Sequence, residues 1–322
     1  MMDRIFVYEY LSGGGEMDDA NAELLAMGES MRDAIVADLL ALESYHVSVA
    51  TCKLAGPPPR QARPVTPQDG ESALGFVRRQ ADAHDLAWVV APETDGLLAK
   101  LHPCVATGRW LGCDLPTVEL ATRKRRTLTA LAGAGVATPL DFELAPDIDR
   151  WVVKPDDGAG AVATRVHRGR QAARDDWTSR VRAGEQVLIE PWVEGDALSL
   201  SLLCGARQCE LLSINRQQLH VDEHGWLSFR GVQVNAMPPS DPRAAPLAAL
   251  AARVHRAIPG LRGFVGIDLV WHARRGPVVI EVNPRVTCAY VGLSRALGRN
   301  LAADVIASRD DEAALEAAHG HA

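Results

Sequence analysis

The chain has 322 residues, enough for two or three subdomains around a sizeable core. Its 47% hydrophobic and 23% charged content is that of a folded protein, and a formal net charge of −7 argues against broad binding to nucleic acid. No run approaches the roughly 18 apolar residues a spanning helix needs, and the N-terminus lacks a long signal-type apolar region, so a cytoplasmic protein without membrane contact is expected.

Residues 4–10 read as a strand running into the turn Ser12, Gly13, Gly14, Gly15. A helical stripe follows over 22–43, then a short strand at 47–50 and a proline-rich loop from Gly56. A helix over 71–84 and a buried strand over 86–91 complete an alternating pattern. That pattern predicts a small open α/β domain with a parallel sheet, its ligand at the strand ends.

Helical periodicity resumes over 118–135 and stops at glycine. From residue 150 the texture becomes α+β. Short strands are expected at 151–154, 163–167, 186–190, 198–204, 209–214, 227–234, 264–271 and 277–282, with helices at 243–258 and 291–306. The Ala-, Glu- and His-rich tail 308–322 reads as a frayed helix. The six cysteines show no metal-type spacing and are expected to be reduced thiols.

The strongest chemical signal is the pair of segments Gly266–Trp271 and Val278–Arg285. Glu281 and Asn283 are two apart, so on a strand they share a face. A turn centred between Arg274 and Arg275 would set Asp268 directly across from Glu281. Opposed like charges destabilise a sheet unless a cation lies between them, and Mg²⁺ suits two carboxylates and a carboxamide. The competing reading is the polar outer face of an amphipathic hairpin, which the apolar character of both strands disfavours.

Two further segments gain meaning beside it. In Trp151–Ala161 a strand ends at Lys154, and a loop with Asp157, Gly158 and Gly160 follows. Glycines let backbone N–H groups approach phosphate oxygens, although on the local pattern alone a plain hairpin turn is the better reading, which the later carboxylate hairpin overturns. In 188–199 an apolar strand stops at Glu190, and Pro191, Trp192 and Val193 lead to Glu194 and Asp196 around a glycine turn. Such a crossing can wall an adenine ring or simply connect two strands. Only four lysines occur, Lys53, Lys100, Lys124 and Lys154, so a lysine in a glycine-rich motif stands out.

The order Lys124, Lys154 with its glycine loop, the Glu190 hinge, Asp268, then Glu281 and Asn283 before Pro284 and Arg285 resembles the ATP-grasp superfamily over residues 118–306. The N-terminal part looks like the preATP-grasp domain. The resemblance implies an open parallel α/β domain over 1–117, a small ATP-grasp lobe over 118–190, a C-terminal lobe with the metal site over 191–307, and a tail over 308–322. It also implies ATP with Mg²⁺, or Mn²⁺ in its place. Lys124, Lys154 and Arg216 would touch the phosphates, Glu190 to Val193 the adenine, and Asp268, Glu281 and Asn283 the metal. Where relatives carry a ribose-binding acid this chain has Ala197, leaving Asp196 or Glu194 as substitutes. Many relatives also have Asp before the residue matching Lys124, where Arg123 stands here. A narrower similarity links Phe6–Gly15, Ala91–Leu98, Ser213–Gln217 and Asn283–Leu293 to the ATP-grasp group that contains archaeal tyramine–glutamate ligase, in methanofuran-type coenzyme biosynthesis.

The expected reaction is ligation of a small-molecule carboxylate, such as an amino acid, to an amine through an acyl phosphate. Metal, lysines and loop amides would work by positioning and charge stabilisation. Arg285 is the candidate for the acyl-phosphate or carboxylate charge, Thr287 and Tyr290 for the acceptor site, and Glu93 and Asp95 for the amine. Homodimers through the N-terminal or central domain are common among relatives. The alternative is a regulatory or scaffold module that binds ATP without turnover. A dehydrogenase is disfavoured because Ser12–Gly15 lacks the G-x-G-x-x-G spacing.

Overall fold

A computed structural model describes residues 2–16, 22–145 and 148–309, and most of the expected tail helix lies outside them. The strands β1 (Asp3–Glu9), β2 (Tyr45–Ala50), β3 (Arg63–Val65) and β4 (Leu86–Val90) form one sheet in the order β3-β2-β1-β4. Every pairing in it is parallel. β4 is buried at every position, and β1 from Ile5 to Glu9, because helices cover both faces of such a sheet. On one face α1 (Ala22–Leu40) sets Met31, Ile35, Val36 and Leu39 against Ile5, Val7 and Val49. On the other, α2 (Ala73–Asp82) buries Phe76 and Val77 against Phe6 and Tyr8. Ser72 caps α2 by accepting the Gly75 N–H. The chain leaves β1 toward β2 and β3 and returns on the other side as β4. The β1/β4 boundary is therefore the switch point at which open α/β sheets bind ligands.

The stretch expected as one helix over 118–135 is two, α3 (Leu97–Leu101) being followed by α4 (Leu115–Thr122) and α5 (Lys124–Gly133). Arg123 between α4 and α5 is extended, with φ −104° and ψ 98°. The break has a physical cause: Lys124 N–H bonds to the Asp156 carbonyl and Arg125 N–H to the Asp156 carboxylate instead of to the preceding turn. Lys124 thereby opens a helix beside the glycine loop.

A three-stranded antiparallel sheet, β6-β5-β7, follows, built from β5 (Arg150–Pro155), β6 (Arg165–Arg168) and β7 (Val187–Pro191) and backed by α6 (Arg170–Arg182). The last sheet has the order β10-β9-β8-β11-β12. Its strands are β8 (Asp196–Cys204), β9 (Cys209–Val221), β10 (Leu227–Gln233), β11 (Gly263–His272) and β12 (Gly276–Asn283), with α7 (Ala244–Ala257) packed on one face. β9 runs past the expected end at 214 because β10 pairs with it as far as Leu227↔Val221. The helix expected over 291–306 is broken into α8 (Leu293–Leu297) and a helix over 301–309, since Gly298 adopts φ 68°.

Candidate active site

Antiparallel alternation selects the side chains of the site. Asp268 opposes Ser199 on β8 and Glu281 on β12, and Ser199 opposes Asn215 on β9. One face of the sheet therefore carries Ala197, Ser199, Asn215, Gln217, Asp268, Glu281 and Asn283. The hairpin reaches this register by an unexpected route. His272 pairs with Gly276, so the turn is centred on Arg274, which would oppose Asp268 with Ile280. A bulge at Ile280 restores the offset and turns Glu281 and Asn283 onto the face of Asp268.

This face lines a cavity of about 980 Å³ that extends to Glu9, Tyr10, Val90 and Ala91 at the ends of β1 and β4. Its opposite wall holds Lys154, Gly158, Gly160, Glu190, Pro191, Trp192 and Val193, with Lys124 and Asp157 beside them. Lys124 Nζ lies 2.9 Å from Glu281 Oε1 and donates to the Gly158 carbonyl at 2.7 Å. Burial pushes its ammonium pKa down, but Glu281, and beyond it Glu93 and Asp157, raise it on balance. Lys154 and Glu190 form a buried pair at 2.6 Å. Glu190 Oε2 and the Trp192 indole N–H are buried without partners, an acceptor and a donor left for a polar ring.

Asp268 is a strongly perturbed acid of the site. Burial, and then the charge of Glu281, push its pKa up to about 7 against the pull of Asn283, Arg285 and Lys124. Its oxygens accept from Gln217 Nε2 at 2.9 Å and from Asn283 Nδ2 at 3.3 Å. A hard cation between Asp268 and Glu281 would relieve this strain. Two carboxylates and an amide oxygen suit Mg²⁺, which keeps waters and takes substrate phosphates. Among the described residues no three His, Cys, Asp or Glu side chains cluster as an all-protein metal cage.

Several expected residues stand elsewhere. Arg216 and Asp196 project from the opposite face of the sheet, because Arg216 pairs with Leu198 and alternation sends Gln217 into the cavity instead. There Asp196 bonds Arg243 at 2.8 Å and lies 3.8 Å from Arg216. Glu194 is exposed and paired with Arg150. Both oxygens of Glu93 are taken by Arg285, at 2.9 and 2.8 Å, so Glu93 holds a guanidinium and not an amine substrate. Arg285 still lines the cavity. Tyr290 is buried behind it, its hydroxyl on Asp38 Oδ2 at 2.7 Å, whereas Thr287 faces in. Asp95, at φ 53°, donates its N–H to Asp157 and ties the glycine loop to the N-terminal domain.

Sequence reasoning missed Gln217, Asn215 and Glu9. Asn215 is fully buried and gathers Ser199, Ser201, Ser213 and the Asn235 N–H. The spacing Asn215-x-Gln217 on one strand face was the available signal. Glu9 accepts the N–H groups of Leu11 and Ser12, and a Cβ at Gly28 would collide with its carboxylate.

Residues 121–289 match the family model of the ATP-grasp domain, a stretch longer than half of the chain, and residues 45–118 match the pre ATP-grasp 3 domain. A tyramine–L-glutamate ligase of Methanocaldococcus jannaschii is 31% identical over 211 residues, which is 65% of this chain and 58% of that protein. The match thus spans less than two thirds of that relative's length. Among solved structures, an ATP-grasp superfamily protein of Archaeoglobus fulgidus has a TM-score of 0.69 at 21% identity, covering 94% of this chain and 88% of that one. The VanG D-Ala:D-Ser ligase of Enterococcus faecalis has a TM-score of 0.69 at 13% identity, covering 96% and 100%. These structural likenesses concern the fold alone. Fold, site order and family model agree, and the chain belongs to the ATP-grasp family.

Proposed function

We propose that the chain is an ATP-dependent carboxylate–amine ligase working through an acyl phosphate with release of ADP and phosphate. The observation that carries this reading is the carboxylate hairpin, Asp268 against Glu281 with Asn283, sharing one cavity with Lys154 and with Lys124, which contacts Glu281. ATP is the nucleotide whose phosphates those lysines and the amides of the Gly158–Gly160 loop would hold, with adenine against Glu190 to Val193. Mg²⁺ on Asp268, Glu281 and Asn283 would supply the charge that offsets the crowded phosphate oxygens. Lys124 would pass from Glu281 toward phosphate as the ion takes over that carboxylate. Arg285, oriented by Glu93, presents its guanidinium to the carboxylate undergoing phosphorylation. The chain's own contribution is positioning, charge stabilisation and exclusion of water.

For the substrates we favour L-glutamate and an aromatic amine such as tyramine, by similarity to the ligase of Methanocaldococcus jannaschii. The cavity beside β1 supports this, with Tyr10, Leu11, Leu24, Met27 and Leu74 offering an apolar wall next to the Glu9 carboxylate. The test is ADP release with Mg²⁺-ATP and hydroxylamine over a panel of carboxylates beginning with L-glutamate, followed by tyramine in place of hydroxylamine. ADP with a hydroxamate from one acid supports the ligase. AMP and pyrophosphate would overturn the acyl phosphate, and nucleotide binding without turnover across the panel would favour a regulatory module.

A further inference from the structure

Of the six cysteines, all free thiols, two are brought face to face. Cys204 ends β8, Cys209 begins β9, and they are direct partners across the ladder. The Gly205 N–H donates to the Gln208 carbonyl at 2.9 Å, which makes 205 and 208 the bonded pair closing the hairpin. Alternation then makes Cys204 and Cys209 a non-hydrogen-bonded pair, the position where opposed side chains approach closest, with Cα atoms about 4.5 Å apart. That separation lies inside the span of about 4.4–6.8 Å that a disulfide bridges. His255 Nε2, 3.0 Å from the Gly205 carbonyl, fastens the loop to α7, so the pair is held in place.

The two thiols are not equivalent. Cys204 is fully buried, whereas Cys209 is partly open to solvent. The Cys204 S–H holds the Cys209 thiol below its ordinary pKa against the opposing effect of burial, and Arg256 adds to it. The same contact, together with burial, raises Cys204. Cys113, the third thiol nearby, is engaged otherwise. Its sulfur accepts the Arg262 N–H at 3.3 Å and donates to the Arg262 carbonyl at 3.5 Å.

We propose that Cys204 and Cys209 form a reversible oxidation site that closes a cross-strand disulfide with a low-molecular-weight disulfide as oxidant. The Cys209 thiolate attacks one sulfur of oxidised glutathione. The glutathione S–S bond breaks, and one glutathione leaves as thiolate to be protonated by water. Cys204 then gives up its proton and attacks the Cys209 sulfur, expelling the second glutathione. Two protein thiols lose two electrons, and one small disulfide becomes two thiols. The pair lies at the far end of β8 from Ser199, about 17 Å along the strand, so the modification is read without reference to ligation.

The experiment incubates the full chain with oxidised glutathione, blocks remaining thiols with an alkylating reagent, and maps peptides by mass spectrometry. The expected result is loss of two titratable thiols, a mass lower by two hydrogen atoms than the reduced chain, and a crosslinked 204–209 peptide reversed by dithiothreitol. Cys204→Ser is expected to stop at a glutathione adduct on Cys209, and Cys209→Ser to lose the crosslink altogether. A stable glutathione adduct on Cys209 in the unaltered chain would overturn the proposal. So would a crosslink joining either residue to Cys113, or no reaction of Cys209 in the folded chain. The mapping of the unaltered chain decides the matter even if a variant fails to fold.

Discussion

Replacing Asp268 by Asn should stabilise the metal-free protein in alkaline solution and destabilise it in acid. The folded-state pKa of Asp268 is raised from 3.8 to about 7, so its contribution to stability is fully present below the unfolded value and is lost as pH rises through the folded one. Three pH units at about 1.4 kcal/mol each set an upper bound of roughly 4 kcal/mol, and the open cavity beside the carboxylate reduces this to about 2. Asn removes that cost but turns an N–H₂ toward Gln217 or Asn283, which both donate to the native oxygens. One such mismatch costs about 1 kcal/mol at any pH. The variant should therefore unfold about 1 kcal/mol later than the native protein at pH 8, and about 1 kcal/mol earlier near pH 3, below the unfolded value, with the crossover between them. Urea titrations followed by tryptophan fluorescence in the presence of a chelator would measure both. Adding saturating Mg²⁺-ATP at pH 8 should reverse the order, since ligand at a hundred times its Kd adds about 2.7 kcal/mol to a protein that binds it. Destabilisation of equal size at both pH values would refute the reasoning, because it would mean that Asp268 is ionised without strain.

Lys154→Met should cost about 3 kcal/mol in denaturant titration, because it leaves Glu190 charged and buried; adding Glu190→Gln should recover a large part of that loss. Gln217→Leu should leave the unfolding midpoint nearly unchanged yet weaken Mg²⁺-ATP binding roughly tenfold or more by calorimetry, since it frees Asp268 to turn away from the ion. Gly195→Ala should lower stability by at least about 2 kcal/mol, because a Cβ at φ 150° would run into the Trp271 carbonyl; thermal denaturation reads it directly. If the ligase reading holds and the amine sits by Glu9, Gly28→Ala should raise the apparent KM for the amine while leaving nucleotide affinity unaltered, as the added methyl would displace the Glu9 carboxylate.

Period and order in the sequence were sufficient for the parallel N-terminal sheet, the α+β texture beyond residue 150 and the shared strand face of Asp268, Glu281 and Asn283. Continuous apolar runs such as Leu86–Val90 signal a strand covered on both faces, and Glu281-x-Asn283 signals a shared strand face whatever surrounds it. What the sequence could not carry were events that depend on a partner distant along the chain. The break at Arg123 exists because Asp156 takes the N–H of Lys124, and Tyr290 turns inward because Asp38 accepts its hydroxyl. Glu93 meets Arg285 across 192 positions of sequence. The hairpin register was reached for a different reason than spacing suggested, through a bulge at Ile280 rather than through the turn. Arg216 and Gln217 are adjacent in the chain, and only the pairing of β9 with β8 decided which of them faces the cavity. Local chemistry is written in residue identity and spacing, while facing and partnership are properties of the assembled sheets, where a shift of one residue exchanges one face for the other.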